Sequence, residues 1–324
     1  MSFDINEKNI KLWSTIGPRA SFGMSALDLI KKFPKLMILT CDVSTSAGLD
    51  RFRKLHPDNY FDLGIAEQNL IGVAAGIASE GYNVVTTTFA PFQVMRCCEQ
   101  IKVNAGYMKQ KITMVGIASG LVLGNLGYTH CCIEDIGVIR SIPNINIISP
   151  ADSFETVKAF EAVLSNERSS YIRITGAQNN PIVYKQDYKF KIGKAIKLLD
   201  GEDVAIFCNG ALVKEVVDAC EELKKKQINA SIINMHTIKP IDKQIIIDEA
   251  KKSKLFLSVE EHNIIGGLGS AISEVLSELN QHPRLIKLGI SDTYTKGGSY
   301  LFLKKKHGLD KETIVNTVTK NLNG

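Results

Sequence analysis

Two α/β domains, each built on a doubly wound, mostly parallel sheet, are the fold class this sequence predicts, and three features predict it. Short apolar, β-rich runs alternate with helical patterns along the whole chain. Those runs are continuous rather than alternating, which marks strands covered on both faces, the condition of a parallel sheet with helices on either side. One polar stretch, residues 176–194, interrupts the rhythm before it resumes. At 324 residues the chain is long enough for two cores of ordinary size. The expected division is 1–187 and 188–324, the second domain being the smaller.

Taken in order, the first domain should place strands at 35–43 (KLMILTCDV), 60–64 (YFDLG), 83–90 (NVVTTTFA), 111–119 (KITMVGIAS), 145–151 (INIISPA) and 169–175 (SSYIRIT). Their β-branched and apolar side chains suit a pleated, packed surface. Amphipathic or small-residue helices are expected between them near 25–32, 66–79, 92–105, 133–141 and 153–164. GAQNNPIVYKQDYKFKIGK (176–194) is rich in turn-forming and charged residues and reads as a linker. After it come strands at 203–210 (DVAIFCNG), 229–236 (NASIINMH), 254–260 (KLFLSVE) and 284–290 (RLIKLGI). Helices near 212–226, 242–252, 268–279 and 310–322 complete the second domain.

Composition excludes several function classes. The start, MSFDINEKNIKLW, lacks the basic-then-apolar pattern of a secretory signal, and no run of about 18 apolar residues could span a bilayer. The chain therefore reads as cytoplasmic, with no membrane partner. Seven cysteines, two adjacent pairs among them, make neither a disulfide framework nor a C-x-x-C knuckle, so reduced thiols are expected. The net charge of +5 comes from lysines dispersed among acids, with short runs only at Lys224–Lys226 and Lys304–Lys306. Such runs are solvated faces, and no nucleic-acid partner is expected.

Architecture alone leaves the chemistry open. There is no G-x-x-x-x-G-K-[ST] and no G-x-S-x-G, and GGLGS (266–270) does not complete G-x-G-x-x-G. Three stretches remain. ASGLVLGNLGYTH (118–130) is glycine-rich and ends in His130, which could exchange a proton near neutrality or serve a purely structural end. TTTFAPFQVM (86–95) sets Phe89 and Phe92 three apart around Pro91. They are either core aromatics or the wall of a crevice that stacks a flat heteroaromatic ligand. GIAEQNLIGVAAGIA (64–78) opens a helix on an acid, Glu67. Capping of the helix N-terminus explains it simply. The small residues Gly72, Ala74, Ala75, Gly76 and Ala78 also suit close packing against another helix or chain, where a desolvated carboxyl would act as a proton donor.

Together these residues resemble the thiamine-diphosphate enzymes of the transketolase group. FDLGIAEQNLIGVAAGIASEG (61–81) is similar to the pyrimidine-binding signature of transketolases and deoxyxylulose-phosphate synthases, with a looser form in the β subunits of 2-oxoacid dehydrogenases. CDVSTS (41–46), TTTFAPF, GYTHCCIEDIGVIRSIPNINIISPAD (127–152), NMHTIKPID (234–242) and VEEHNIIGGLGS (259–270) carry the resemblance, in order, over nearly the whole chain. It covers only the carboxyl-terminal half of a transketolase. The G-D-G…N motif of the other half, which holds the diphosphate and Mg²⁺, is missing, and DGED at 200–203 is not it.

The resemblance implies a pyrimidine-binding domain (1–187) and a transketolase C-terminal domain (188–324), acting as one subunit of a split transketolase that moves a two-carbon ketol unit between sugars. It implies thiamine diphosphate as cofactor, Mg²⁺ bound mainly by an amino-terminal partner subunit, no metal ligand here, and an α2β2 assembly in which copies of this chain self-associate. Glu67 would match the glutamate that hydrogen-bonds N1′ of the aminopyrimidine. Phe89 and Phe92 would match its aromatic wall, with Met95 where the family often has tyrosine. Asp42 would match an acid near the cofactor, and His130 the histidine that contacts a donor oxygen and moves protons. Arg19 and Ser46 would match the sugar-phosphate site. Three positions depart: Ala118 stands for a histidine, Leu126 for a substrate-reading aspartate and Ala177 for an arginine. Either Arg173 substitutes for the last, or the acceptor lacks the usual phosphate, so an altered sugar, modified or nucleotide-linked, is expected. Two other readings share the fold: a β subunit of a 2-oxoacid decarboxylating or deoxyxylulose-phosphate-synthase-like enzyme, and a non-catalytic regulatory subunit.

Overall fold

A computed structural model describes residues 5–322. Its strands, in chain order, are β1 (Leu36–Thr40), β2 (Tyr60–Asp62), β3 (Asn83–Phe89), β4 (Ile112–Ile117), β5 (Ile145–Ile148), β6 (Ser169–Arg173), β7 (Ile196–Leu199), β8 (Val204–Cys208), β9 (Ala230–Asn234), β10 (Thr237–Lys239), β11 (Leu255–Asn263) and β12 (Arg284–Ile290). They form a seven-stranded sheet, β10-β5-β6-β4-β3-β1-β2, and a five-stranded sheet, β12-β11-β8-β9-β7. Pairing is parallel except where β10 meets β5 and β7 meets β9. Every residue of β1, β4, β5 and β6 is buried, as continuous apolar runs require.

The chain leaves β1 to one side for β2, then crosses to the other side for β3. Strand order therefore reverses at β1, and in an open α/β sheet the crevice beyond the carboxyl ends of the strands at such a reversal is where ligands bind.

Several elements differ from the sequence expectation. The helix near 25–32 is the end of a longer one, Pro18–Lys32, preceded by Glu7–Ile16, whose N-terminus Asn6 caps by accepting from the Asn9 N–H at 2.9 Å. The single helix near 92–105 is three short pieces, Ala90–Val94, Cys98–Gln100 and a wide-turned Ile101–Tyr107. Strands β7 and β10, neither of them expected, are edge strands of four and three residues, too short to carry a period.

Strand β10 has a larger consequence, because it lies beyond the linker in sequence yet pairs with β5 of the first sheet. The largest apolar cluster likewise mixes the two halves, joining Trp13, Leu121, Ile133 and Phe154 to Val204, Ile206, Leu257 and Ile314. The linker 176–194 is fixed rather than free. Buried Asp152 accepts the Val183 and Tyr184 N–H groups at 2.8 and 3.1 Å, and buried Glu155 accepts the Tyr188 hydroxyl at 2.7 Å. Burial pushes the Asp152 carboxyl up to about 6, against the pull of its hydrogen bonds.

Candidate active site

The reversal at β1 gathers the residues that follow β1, β2, β3 and β4 at one rim of the first sheet. Asp42 turns the chain just past β1 with φ of 54°, a left-handed conformation that aspartate tolerates better than most residues. Asp62, at the end of β2, holds both neighbouring turns. Its carboxylate accepts the Asp42 N–H at 2.9 Å, the Gly64 N–H at 3.0 Å and the Thr40 hydroxyl at 3.0 Å. Burial works to raise the Asp62 carboxyl, but these hydrogen bonds outweigh it and hold the group below the usual carboxylate range. The side chain of Asp42 itself is exposed.

Glu67 begins the helix Glu67–Ser79 and is 5% exposed. Arg96 Nη1 donates to its Oε1 at 2.7 Å, and the carboxylate has no other hydrogen-bond partner among the described residues. The lone desolvated carboxyl expected at this position is instead one end of an ion pair, because Arg96, near the rim, folds back over the Phe92 ring, 4.1 Å from its centroid. Phe89 and Phe92 meet edge to face at 6.3 Å. The His130 imidazole stands edge-on to Phe92 at 5.3 Å and to Phe89 at 6.2 Å. Glu67, Arg96, Phe92, Phe89 and His130 thus form one continuous cluster. Met95 is exposed beside it, with no ring contact described.

Sequence reasoning missed Arg96, although its spacing of four from Phe92 at a helical turn was a usable signal. The helix that Glu67 opens buries Leu70, Ile71, Ala74 and Ala75 against the sheet. Its opposite face is open: Gly72 and Gly76 are exposed, a Cβ on either would meet nothing within 4 Å, and the neighbouring Ile65 is 77% exposed. The close packing expected for this face is not made among the described residues.

Arg19 and Ser46 line a separate cavity of about 250 Å³, together with Thr45, Ala177 and Gln178. Burial pulls the Arg19 guanidinium below its usual range, and it has no ion pair among the described residues. Arg173, by contrast, cannot stand in for the missing arginine at Ala177. It is fully buried, donating through Nε to Asp135 at 2.9 Å and through Nη2 to the carbonyls of Cys132 and Glu261 at 3.2 and 2.7 Å. A guanidinium committed to a buried carboxylate would leave that charge unpaired if it swung out.

The loop that carries His130 is closed at its neck by reciprocal hydrogen bonds between Gly120 and Cys132, at 2.8 and 2.9 Å. Next to its ring, the Thr129 hydroxyl lies 3.0 Å from His130 Nδ1. Of the departing positions, Ala118 is buried at the start of this loop with φ of 53°, and Leu126 is 57% exposed on it. Among the described residues no group of three or more His, Cys, Asp or Glu is placed to hold a metal ion, and no helix is long and apolar enough to cross a membrane.

Chemically, the cluster offers two half-buried phenylalanine rings, one of them covered by Arg96, and one shielded carboxylate at the same rim. That combination fits a flat heteroaromatic ring able both to stack and to hydrogen-bond through a ring nitrogen, as an aminopyrimidine is.

Comparison with known proteins identifies the family of both domains. Residues 15–180 match the transketolase pyrimidine binding domain and residues 193–314 the transketolase C-terminal domain. A putative transketolase C-terminal section from Methanocaldococcus jannaschii is 37% identical over 309 residues, covering 94% of this chain and 96% of that protein. One of the subunits of an apulose-4-phosphate transketolase from Actinobacillus succinogenes is 35% identical over 290 residues, covering 89% and 93%. A solved split gene transketolase, an inactive β4 tetramer, superposes with a TM-score of 0.85 at 32% identity, covering 95% of this chain and 98% of that one.

Proposed function

This chain belongs to the transketolase family as a carboxyl-terminal subunit of the split kind, and we propose that it supplies the aminopyrimidine end of the thiamine diphosphate site and one wall of the sugar cleft. The observation that carries the reading is the cluster at the rim: a carboxylate 5% exposed, with one partner, beside two phenylalanines and a histidine in ring contact. When bound, the cofactor supplies a carbon nucleophile and an electron sink for the ketol group. Glu67 would bond the aminopyrimidine nitrogen and hold a proton there. Phe89, Phe92 and Met95 would flank the ring, Asp42 would face the cofactor from the end of β1, and His130 would exchange a proton with an oxygen of the donor sugar.

Arg19 and Ser46 bind the far end of the sugar. With Ala177 in place of a second arginine, this cavity offers one guanidinium, two hydroxyls and the Gln178 amide. That donor set supports an altered sugar, modified or nucleotide-linked, in place of the usual pentose phosphates, and the naming of a relative for apulose-4-phosphate supports it further. The diphosphate and Mg²⁺ are held mainly by an amino-terminal subunit, in an α2β2 assembly that covers the open Gly72–Gly76 face. The two domains divide at 187/188, within the irregular segment between β6 and β7. A cytoplasmic setting is supported by seven free cysteines, which suit a reducing compartment.

The test is reconstitution. Co-purified with the amino-terminal subunit and supplied with thiamine diphosphate and Mg²⁺, the chain should transfer a ketol group from a ketose donor, and alone it should be inactive. Release of CO₂ from pyruvate would point instead to a decarboxylating enzyme of the 2-oxoacid type. Efficient exchange between xylulose 5-phosphate and ribose 5-phosphate would overturn the altered substrate.

A further inference from the structure

The second domain has no residue in the rim cluster, yet it holds the loop that carries His130. Inside the Gly120–Cys132 neck, every hydrogen bond that leaves residues 121–131 goes to that domain among the described residues. At the neck, the Leu121 N–H donates to Glu261 Oε1 at 2.7 Å, and the other carboxylate oxygen accepts the Tyr300 hydroxyl at 2.7 Å. Glu261 is 1% exposed, and a Cβ on Gly120 would meet its Oε1 at 2.2 Å, so the glycine admits the carboxylate. At mid-loop the Gly298 N–H donates to the Gly124 carbonyl at 3.0 Å. Beyond that, the Tyr128 hydroxyl meets His307 Nε2 at 2.9 Å and the Thr295 hydroxyl at 3.0 Å, with the Tyr128 and Tyr294 rings 5.0 Å apart. The first domain touches this loop in the aromatic contacts of His130 with Phe89 and Phe92.

We infer that Glu261 at the neck and the Tyr128–His307 clasp farther along the loop are positioning residues, through which the second domain sets His130 against the substrate. The inference rests on the assignment of His130 to the donor sugar made above. A buried carboxylate bonded to a single backbone N–H fixes where the loop begins, and the clasp fixes its far side. His130 lies between the clasp at Tyr128 and the Cys132 side of the neck. Loss of either leaves the ring free to shift by an amount that chemistry notices, since a misplacement of about 1 Å can cost on the order of 10²-fold in rate.

Three variants test it: Tyr128→Phe, His307→Ala and Glu261→Gln. Two measurements are made: amide exchange over residues 121–130 in the isolated chain, and kcat and KM in the reconstituted enzyme. Exchange over the loop should quicken by about tenfold in each variant while the helix Ser153–Leu164 keeps its protection. Turnover should fall by about 10- to 100-fold, with half-saturation by thiamine diphosphate within about twofold, because the rim residues for the cofactor do not depend on the clasp. A loss confined to general stability would move the helix and the cofactor affinity together, and that result overturns the inference. So does unchanged exchange in Tyr128→Phe and His307→Ala, or quickened exchange with unchanged kcat. Should Glu261→Gln not fold, those two clasp variants decide. His130→Ala separates the two readings. If it retains full turnover, the role of His130 itself fails. If it loses turnover while the clasp variants do not, only the positioning role fails.

Discussion

Two buried glutamates divide the molecule into a rim and a seam. Glu67, at the rim of the first sheet, and Glu261, at the seam between the domains, are 5% and 1% exposed. Glu261 has a partner on each oxygen, the buried Leu121 N–H and the half-buried Tyr300 hydroxyl, and it fixes a loop. Glu67 has one partner, a guanidinium 42% exposed at the surface, which a ligand can displace or share. A buried charge with a partner on each oxygen makes a strut, whereas one left with a single, half-exposed partner keeps an oxygen for the ligand proposed above.

The largest effect expected from this contrast is on the rim. Glu67→Gln in the reconstituted enzyme should lower kcat by about 10²- to 10⁴-fold, the range for loss of a positioned proton-transfer group. Its melting temperature should stay near that of the parent, because the glutamine amide is isosteric, keeps an oxygen for Arg96, and leaves a guanidinium that is 42% exposed to water. Steady-state ketol transfer and a thermal melt on the same sample check both. A variant that keeps its turnover would move Glu67 to the class of caps and support a non-catalytic chain of the same fold.

The rim was far more legible in the sequence than the seam. Glu67, Phe89 with Phe92, and His130 each stand in a short stretch whose spacing or glycine content can be read locally, and continuous apolar runs located the strands beneath them. The seam depends on pairings distant along the chain: Arg173 reaches Asp135 across 38 residues and the Glu261 carbonyl across 88. No local pattern announces such contacts, which is why Arg173 could be offered as one of two alternatives for the arginine missing at Ala177 although it is a buried tie. Strand β10 was hidden for a related reason, since three residues carry no period and its partner, β5, lies in the other half of the chain.

The seam should reveal itself in the pH dependence of stability. Glu260, next to Glu261, is fully buried, and burial pushes its carboxyl up to about 7 although the Leu268 and Gly269 N–H groups pull the other way. A carboxyl raised in the folded state stabilises the fold below its unfolded value of about 4.3, and that contribution is lost as pH rises toward about 7. Glu260→Gln removes this titration, so the fall in stability from pH 5 to pH 8 should shrink by about 1–3 kcal/mol, followed as melting temperature across the range. Asp152, raised to about 6 with the same sign, should leave part of the slope in place. An identical slope in parent and variant would show that Glu260 is ionised at the seam throughout, held by the helix N-terminus.

The smallest effect returns to the rim and gives opposite signs in two states of the protein. In the isolated chain Gly72 lies on an open helix face, where a methyl group meets nothing within 4 Å. Gly72→Ala should therefore stabilise the free chain by about 0.5–1 kcal/mol, the helix-propensity difference between the two residues, read from a denaturation curve. If that face is instead packed against a second chain in the assembled enzyme, the same methyl enters a close contact, where one added carbon typically costs about 1–3 kcal/mol. Sedimentation of the reconstituted complex should then show weaker association although the free chain itself is more stable. Unchanged association would leave the face open in the assembly too, and the small residues of this helix would need another explanation than contact with a partner.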